Sequence, residues 1–293
     1  MKHKNKFSSQ VRMATILIAF VTIVWISAQT VLSCSSPSSH TQAADSIENN
    51  AIDIAKLLQV NTNPALQENI VEYSGMTVSF NPRLHIPNWV AWELTADETD
   101  GEEPRYDKFT CDENVPGCPD DWDYKYTGYD RGHMAPAADM KWNEQAMKES
   151  FFLTNICPQA PDLNRGSWKK LEEKCRLLAK KDSSVIIICG PILTDEIKEY
   201  LGDNKVAVPQ RFFKVILSPF EDKNSAIAFI MPNSKVIGGM QPCAVTIDSV
   251  ETVTGHDFFS TLPDDIEDQI ESQCNFNAWS RRASKLAHHK KND

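Results

Sequence analysis

No Cys-x-x-Cys pair occurs anywhere in the 293 residues, so the spacing of a thiolate zinc site is missing although eight cysteines are present. There is no internal repeat, which argues against a solenoid or propeller. Positive charge is short as well: 30 Lys and Arg stand against 40 Asp and Glu, a net of −10. The first 33 residues reverse that pattern, with Lys2, Lys4, Lys6 and Arg12 and no carboxylate. The remainder therefore holds 26 basic against 40 acidic side chains, a net of −14. Such a surface argues against a binder that works through a broad basic face. It leaves room for a cleft with a local cationic patch and a metal ion.

What is present supports a buried core. Hydrophobic residues make up 41% of the chain, with 7 Trp, enough for one large domain or two small ones. The basic flank runs into an apolar stretch from Met13 to Leu32, the pattern of an export signal or a membrane anchor. Val31-Leu32-Ser33-Cys34 resembles the lipobox of bacterial lipoproteins, in which the Cys is acylated. Ser35-Ser36-Pro37-Ser38-Ser39 has the composition of a tether. The expectation is residues 1–33 as signal or anchor, 34–50 as flexible tether, 51–282 as the folded domain and 283–293 as a frayed basic tail. Its location would then be outside the cytoplasm, exported or held at the cell envelope through the lipid or signal anchor.

Periodicity places the elements. Residues 45–70 suggest a short helix. Tyr73–Phe80 and Pro87–Leu94 read as partner strands, and Thr95–Asp123, acidic and broken by Pro and Gly, as a long surface loop. Lys141–Phe152 reads as a helix. Ser167–Lys181 is the strongest helix, with Trp168, Leu171, Cys175 and Leu178 on one stripe. Val185–Cys189 is a buried strand that Gly190-Pro191 should stop. Arg211–Leu217 and Ala226–Met231 read as strands, and Val245–Val253 and Asp264–Ser272 as helices.

Two stretches carry chemistry. Tyr129-Asp130-Arg131-Gly132-His133-Met134-Ala135-Pro136 sets a guanidinium, an unhindered backbone and an imidazole in a row. About 30 residues on come Asn155-Ile156-Cys157-Pro158-Gln159, then Asp162-Leu163-Asn164-Arg165-Gly166-Ser167-Trp168 and Glu172. Phosphodiester hydrolysis needs a base, positive charge on the phosphorus and help for the leaving oxygen. His133, with an imidazole near ~6.5 when unperturbed, suits the base. Arg131 suits the non-bridging oxygens. Asn164 offers an amide oxygen to a hard cation that keeps most of its waters. Each also has a plain structural reading: a turn His, an Arg paired with Asp130, a helix-capping Asn and a solvated Glu172.

These motifs in this order resemble the DNA/RNA non-specific endonuclease family, over roughly Tyr73 to Cys274. The resemblance implies an α+β fold: a central, mostly antiparallel sheet flanked by helices, containing a ββα-metal (His-Me finger) unit. It implies a nuclease that cleaves DNA and RNA with one Mg²⁺, Mn²⁺ being an alternative. His133 would be the general base, Asn164 the metal ligand and Arg131 the phosphate-charge stabiliser. Glu172 would order the metal's water shell, and Asn155 would lie beside the His on the facing strand. Arg105 is the candidate for the family's upstream Arg. A non-catalytic nucleic-acid-binding module and a toxin-like nuclease with an immunity partner are the rivals; no delivery domain is visible, and no obligate protein partner is implied. Cys111 and Cys118 bracket a loop that a bridge would close, and Cys243 and Cys274 resemble a family disulfide. Cys157, Cys175 and Cys189 read as buried thiols.

Overall fold

The computed structural model describes residues 53–193, 196–220 and 226–284. The expected signal, tether and lipobox Cys34, and all but the first residues of the expected tail, lie outside them. Nine strands matter for the site: β1 Asn69–Glu72, β2 Thr77–Asn81, β3 Ile86–Thr95, β4 Asp130–His133, β5 Ile156–Gln159, β6 Ser184–Ile192, β7 Arg211–Leu217, β8 Ala226–Pro232 and β9 Ala244–Val245. The helices are α1 Glu144–Glu149, α2 Lys169–Asp182, α3 Ile247–Thr254, α4 Asp264–Glu271 and α5 Phe276–Arg282.

Seven strands form one sheet in the order β9-β8-β7-β6-β3-β2-β1, with every pairing antiparallel. The expected α+β class, with an antiparallel sheet flanked by helices, is what the chain adopts. Strand alternation divides the core in two. Val185, Ile187 and Cys189 of β6 join one cluster with Trp168, Leu171, Cys175 and Leu178 of the expected helical stripe. Ile186 and Ile188 join the other with Phe213, Val215, Ile247, Val250 and Phe258. So α2 covers one face and α3 the other. The short pair β4 and β5 lies on the α2 face, with Met134, Ile156 and Cys157 in that first cluster.

Several expectations are corrected. The short helix expected within 45–70 is a single turn, Ile54–Leu57, and strand β1, which was not expected, begins at the end of that span. The helix at 141–152 shortens to α1, capped by Asn143, whose side chain accepts from Gln145 and Ala146 N–H. Strand β6 runs through Gly190-Pro191 instead of stopping there. Its pairing with β3 ends at Cys189, so Pro191 has only β7 beside it and its missing N–H breaks no ladder on the β3 side. A side chain at Gly190 would collide with the Asn88 carbonyl and the Trp89 backbone of β3. The seven cysteines among the described residues are free thiols, with Cys243 buried and Cys274 exposed, so neither expected bridge is formed.

Candidate active site

Strands β4 and β5 pair antiparallel, His133 opposite Ile156 and Arg131 opposite Pro158. Arg131 and His133, two apart, project to the same side, where Phe109 meets both. Its ring lies 5.4 Å from the imidazole, and the Arg131 guanidinium sits 5.2 Å over it. Gly132 faces the other way, where a Cβ would overlap the Gln159 side chain, so no larger residue fits between Arg131 and His133. The turn beyond His133 is clamped by Asn155. Its amide accepts from Ala135 N and donates to the Ala135 and Ser150 carbonyls, each at 2.9 Å. Asn155 closes the short helical turn Leu153–Asn155 and stands one residue before β5, so its side chain holds the backbone after the His.

His133 is packed edge-on to Phe151, at 4.9 Å, and its Nε2 is buried with no hydrogen-bond partner. Burial, and after it the charge of Arg105, push the imidazole down to about 3. It is therefore neutral throughout the physiological range. Arg105 reaches this spot over the Phe151 ring, 4.8 Å from its centroid, while pairing with Asp107. The structure thus brings Arg105, Arg131 and His133 together on two phenylalanines. Arg131 does not pair with Asp130; its Nε lies 2.5 Å from Asp121 Oδ1.

Asp130 is taken instead by the residues after β5. Arg165 binds it through two nitrogens, and Asn164 donates to it at 2.9 Å. Burial works to raise the Asp130 carboxyl, but these two hydrogen-bond donors outweigh it and hold it below the usual range. Asn164 lies in a π-helical turn, Leu163–Trp168, kinked at Gly166, that leads into α2. The same turn returns to the His, because Trp168 Nε1 donates to the His133 carbonyl at 3.4 Å. Asn164 caps no helix end: its Nδ2 is committed to Asp130, and among the described residues its Oδ1 makes no hydrogen bond. An amide oxygen fits a hard cation such as Mg²⁺ or Mn²⁺.

Glu172 stands in the first turn of α2. Burial pushes its carboxyl up to about 7, with Lys214 and Arg176 opposing and Asp139 adding to the rise. Lys214 itself is fully buried, its ammonium 4.5 Å over Trp168 and 5.0 Å over Trp92. Asp139 pairs with Arg176 at 2.7 Å. Sequence reasoning missed this buried ionic layer, and it missed Phe109, Asp121 and Lys214. The signal for Lys214 was faint: Phe212 and Ile216, its neighbours on the same face of the strand Arg211–Leu217, are both apolar.

The profile of the DNA/RNA non-specific endonucleases matches residues 54–265. This chain belongs to that family. Among curated relatives, Nuclease EXOG, mitochondrial, of Danio rerio is 34% identical over 219 residues, covering 69% of this chain and 63% of that protein. Nuclease 1, mitochondrial, of Schizosaccharomyces pombe is 34% identical and covers 71% of each. The chain thus spans a little under two thirds of the zebrafish nuclease and somewhat more of the yeast one. A crystal structure of the EndoG/EndoGI complex superposes with a TM-score of 0.63 at 29% identity, over 70% of this chain and 90% of that one. The expectation of an exported, cell-envelope lipoprotein is overturned by these two curated relatives, both named as mitochondrial nucleases. A basic leader without carboxylates is common to several kinds of address, so composition did not separate them.

Proposed function

We propose that the chain is an endonuclease that hydrolyses phosphodiester bonds in DNA and RNA, with one Mg²⁺ or Mn²⁺ held at Asn164 and His133 as general base. The observation that carries this reading is the neutral imidazole of His133, its Nε2 unpartnered, flanked through Phe109 and Phe151 by two guanidiniums. A neutral imidazole can take a proton from water. Arg105 and Arg131 provide paired donors for phosphate oxygens. A bound phosphodiester offsets the Arg105 charge that helps to depress His133, so the base strengthens when substrate arrives.

When bound, the cation supplies positive charge at the phosphate and stabilises the leaving oxygen. Asn164 would hold it, leaving most of its shell to water, and Glu172 would orient that shell. Asn155 acts as a positioning residue, fixing Met134 and Ala135 so that His133 keeps its direction. Grip on phosphate, with no base-edge reader in the set, accounts for tolerance of both sugars and of sequence. The net of −14 outside the leader makes the Arg pair and the cation the local exception to a repulsive surface.

The test is digestion of plasmid DNA and of RNA by the full chain, with and without chelator, beside His133→Ala. Both substrates should be cut only with metal and only by the wild type. Undiminished cutting by His133→Ala removes the base, and undiminished cutting in chelator removes the metal.

A further inference from the structure

On the sheet face away from His133, the helices α3 and α4 bring three carboxylates together. Oxygen atoms of Asp248, Glu251 and Glu271 all lie within 4.8 Å of one another. Asp248 and Glu251 are three apart on α3, hence on one side of it. Glu271 ends α4. The packing below is apolar: Ile247, Val250 and Ile270 lie against the cluster that contains Phe213 and Phe258.

Three features make this cluster costly as it stands. Glu271 is 6% exposed, and its Oε1 is buried with no hydrogen-bond partner. The charges acting on it most strongly, those of Glu251, Glu267, Asp248 and Asp257, are all carboxylates. It also sits at the carboxy-terminal end of its helix, where the backbone dipole is negative and disfavours an anion. No Lys or Arg pairs with any of the three among the described residues. A buried carboxyl oxygen without a partner, beside two other carboxylates, is a group that a cation here would satisfy.

We propose that Asp248, Glu251 and Glu271 form a Ca²⁺ site, separate from the catalytic one, that ties the end of α4 to α3. The ligand set is all oxygen, which selects a hard ion. Ca²⁺ takes oxygen ligands at about 2.3–2.6 Å in adaptable geometry, and three oxygens within 4.8 Å of one another lie close enough to share one such ion. Mg²⁺ demands near-ideal octahedral geometry at about 2.0–2.1 Å and gives up its waters reluctantly, so three carboxylates from two helices suit the more adaptable ion. Three protein oxygens leave the remaining positions to water. The ion acts on stability, because it bridges two helices and lies across the sheet from His133.

The experiment is calorimetric titration of the full chain with Ca²⁺, together with thermal unfolding. The backgrounds are wild type, Asn164→Ala to remove the catalytic ion, Glu271→Gln and Asp248→Asn. In Asn164→Ala one Ca²⁺ should still bind and raise Tm by about 3–6 °C at ten times Kd. In Asn164→Ala with Glu271→Gln that ion and that rise should both vanish, while the ion-free Tm goes up because the buried repulsion is gone. Asp248→Asn, altered at an exposed position, should weaken binding at least tenfold and serves if the Glu271 variant does not fold. Nuclease rate under saturating Mg²⁺ should be unchanged by both. Ca²⁺ binding of equal stoichiometry and Kd in Glu271→Gln and Asp248→Asn would overturn the proposal. So would a Ca²⁺-insensitive Tm in Asn164→Ala, whatever the outcome for catalysis.

Discussion

The two faces of the central sheet are built from adjacent residues yet obey different rules. Phe213 and Val215 of β7 enter an apolar cluster with Ile186, Ile188 and Phe258. Lys214 between them is just as buried but enters a layer with Glu172, Asp139 and Arg176. Burial opposes the Lys214 charge, and the surrounding Cys189, Glu172, Cys175 and Asp139 more than compensate, holding it above its ordinary value. One face therefore spends its burial on stability. The other keeps charges in place beneath a strand pair that carries the candidate active site.

The comparison can be broken by mutation, and the largest effect is expected on the charged face. His133→Ala should lower kcat by about 10²–10⁴-fold in a plasmid-nicking assay. The folded imidazole near 3, against about 6.5 unfolded, binds fewer protons when folded. That costs stability as pH falls below about 6.5, so His133→Phe should flatten the loss between pH 6.5 and 4 in urea melts. Next comes the apolar face: Phe213→Ala should cost about 3–5 kcal/mol by urea unfolding, while kcat per folded molecule stays within a factor of two or so. A large fall in kcat there would mean that the faces are coupled.

Asn155→Ala should be intermediate, destabilising by about 2–3 kcal/mol because the Ala135 N–H and two carbonyls lose buried partners. It should also lower kcat with KM little changed, as expected of a residue that aims the base. The smallest effect is a slope. Glu172 is raised to about 7 in the folded state, so between its unfolded value near 4.5 and pH 7 the native state holds the extra proton. Stability should fall with rising pH across that window, and Glu172→Gln should reduce the fall. An unchanged slope in the Gln variant would show that the carboxyl is not buried as described.

The parts that were legible in the sequence are those governed by one strong period. The stripe Trp168, Leu171, Cys175 and Leu178 specified α2 and its buried side, and the run from Val185 specified β6. Strand β1 was lost because Asn69-Ile70-Val71-Glu72 lies at a sheet edge and exposes alternate residues, so neither its apolar content nor its length separates it from a loop. Of the candidate site, the residues of the two motifs were legible as a resemblance. Their partners were not: Phe109 and Asp121 come from the acidic segment before β4, where composition reads as solvent-facing loop. The π-helical turn at Leu163–Trp168 was also hidden, because counting on an ideal helix cannot register an extra residue or the kink at Gly166.

The pairing of Arg131 with Asp121, both partly shielded from water, has a consequence for how tightly a polyanion is held. Under the function proposed above, the guanidinium that would meet the phosphate already has an acidic partner, so a polyanion would gain only the margin by which it outcompetes a tethered carboxylate. Asp121 would then reclaim the arginine after cleavage, favouring release of product over retention.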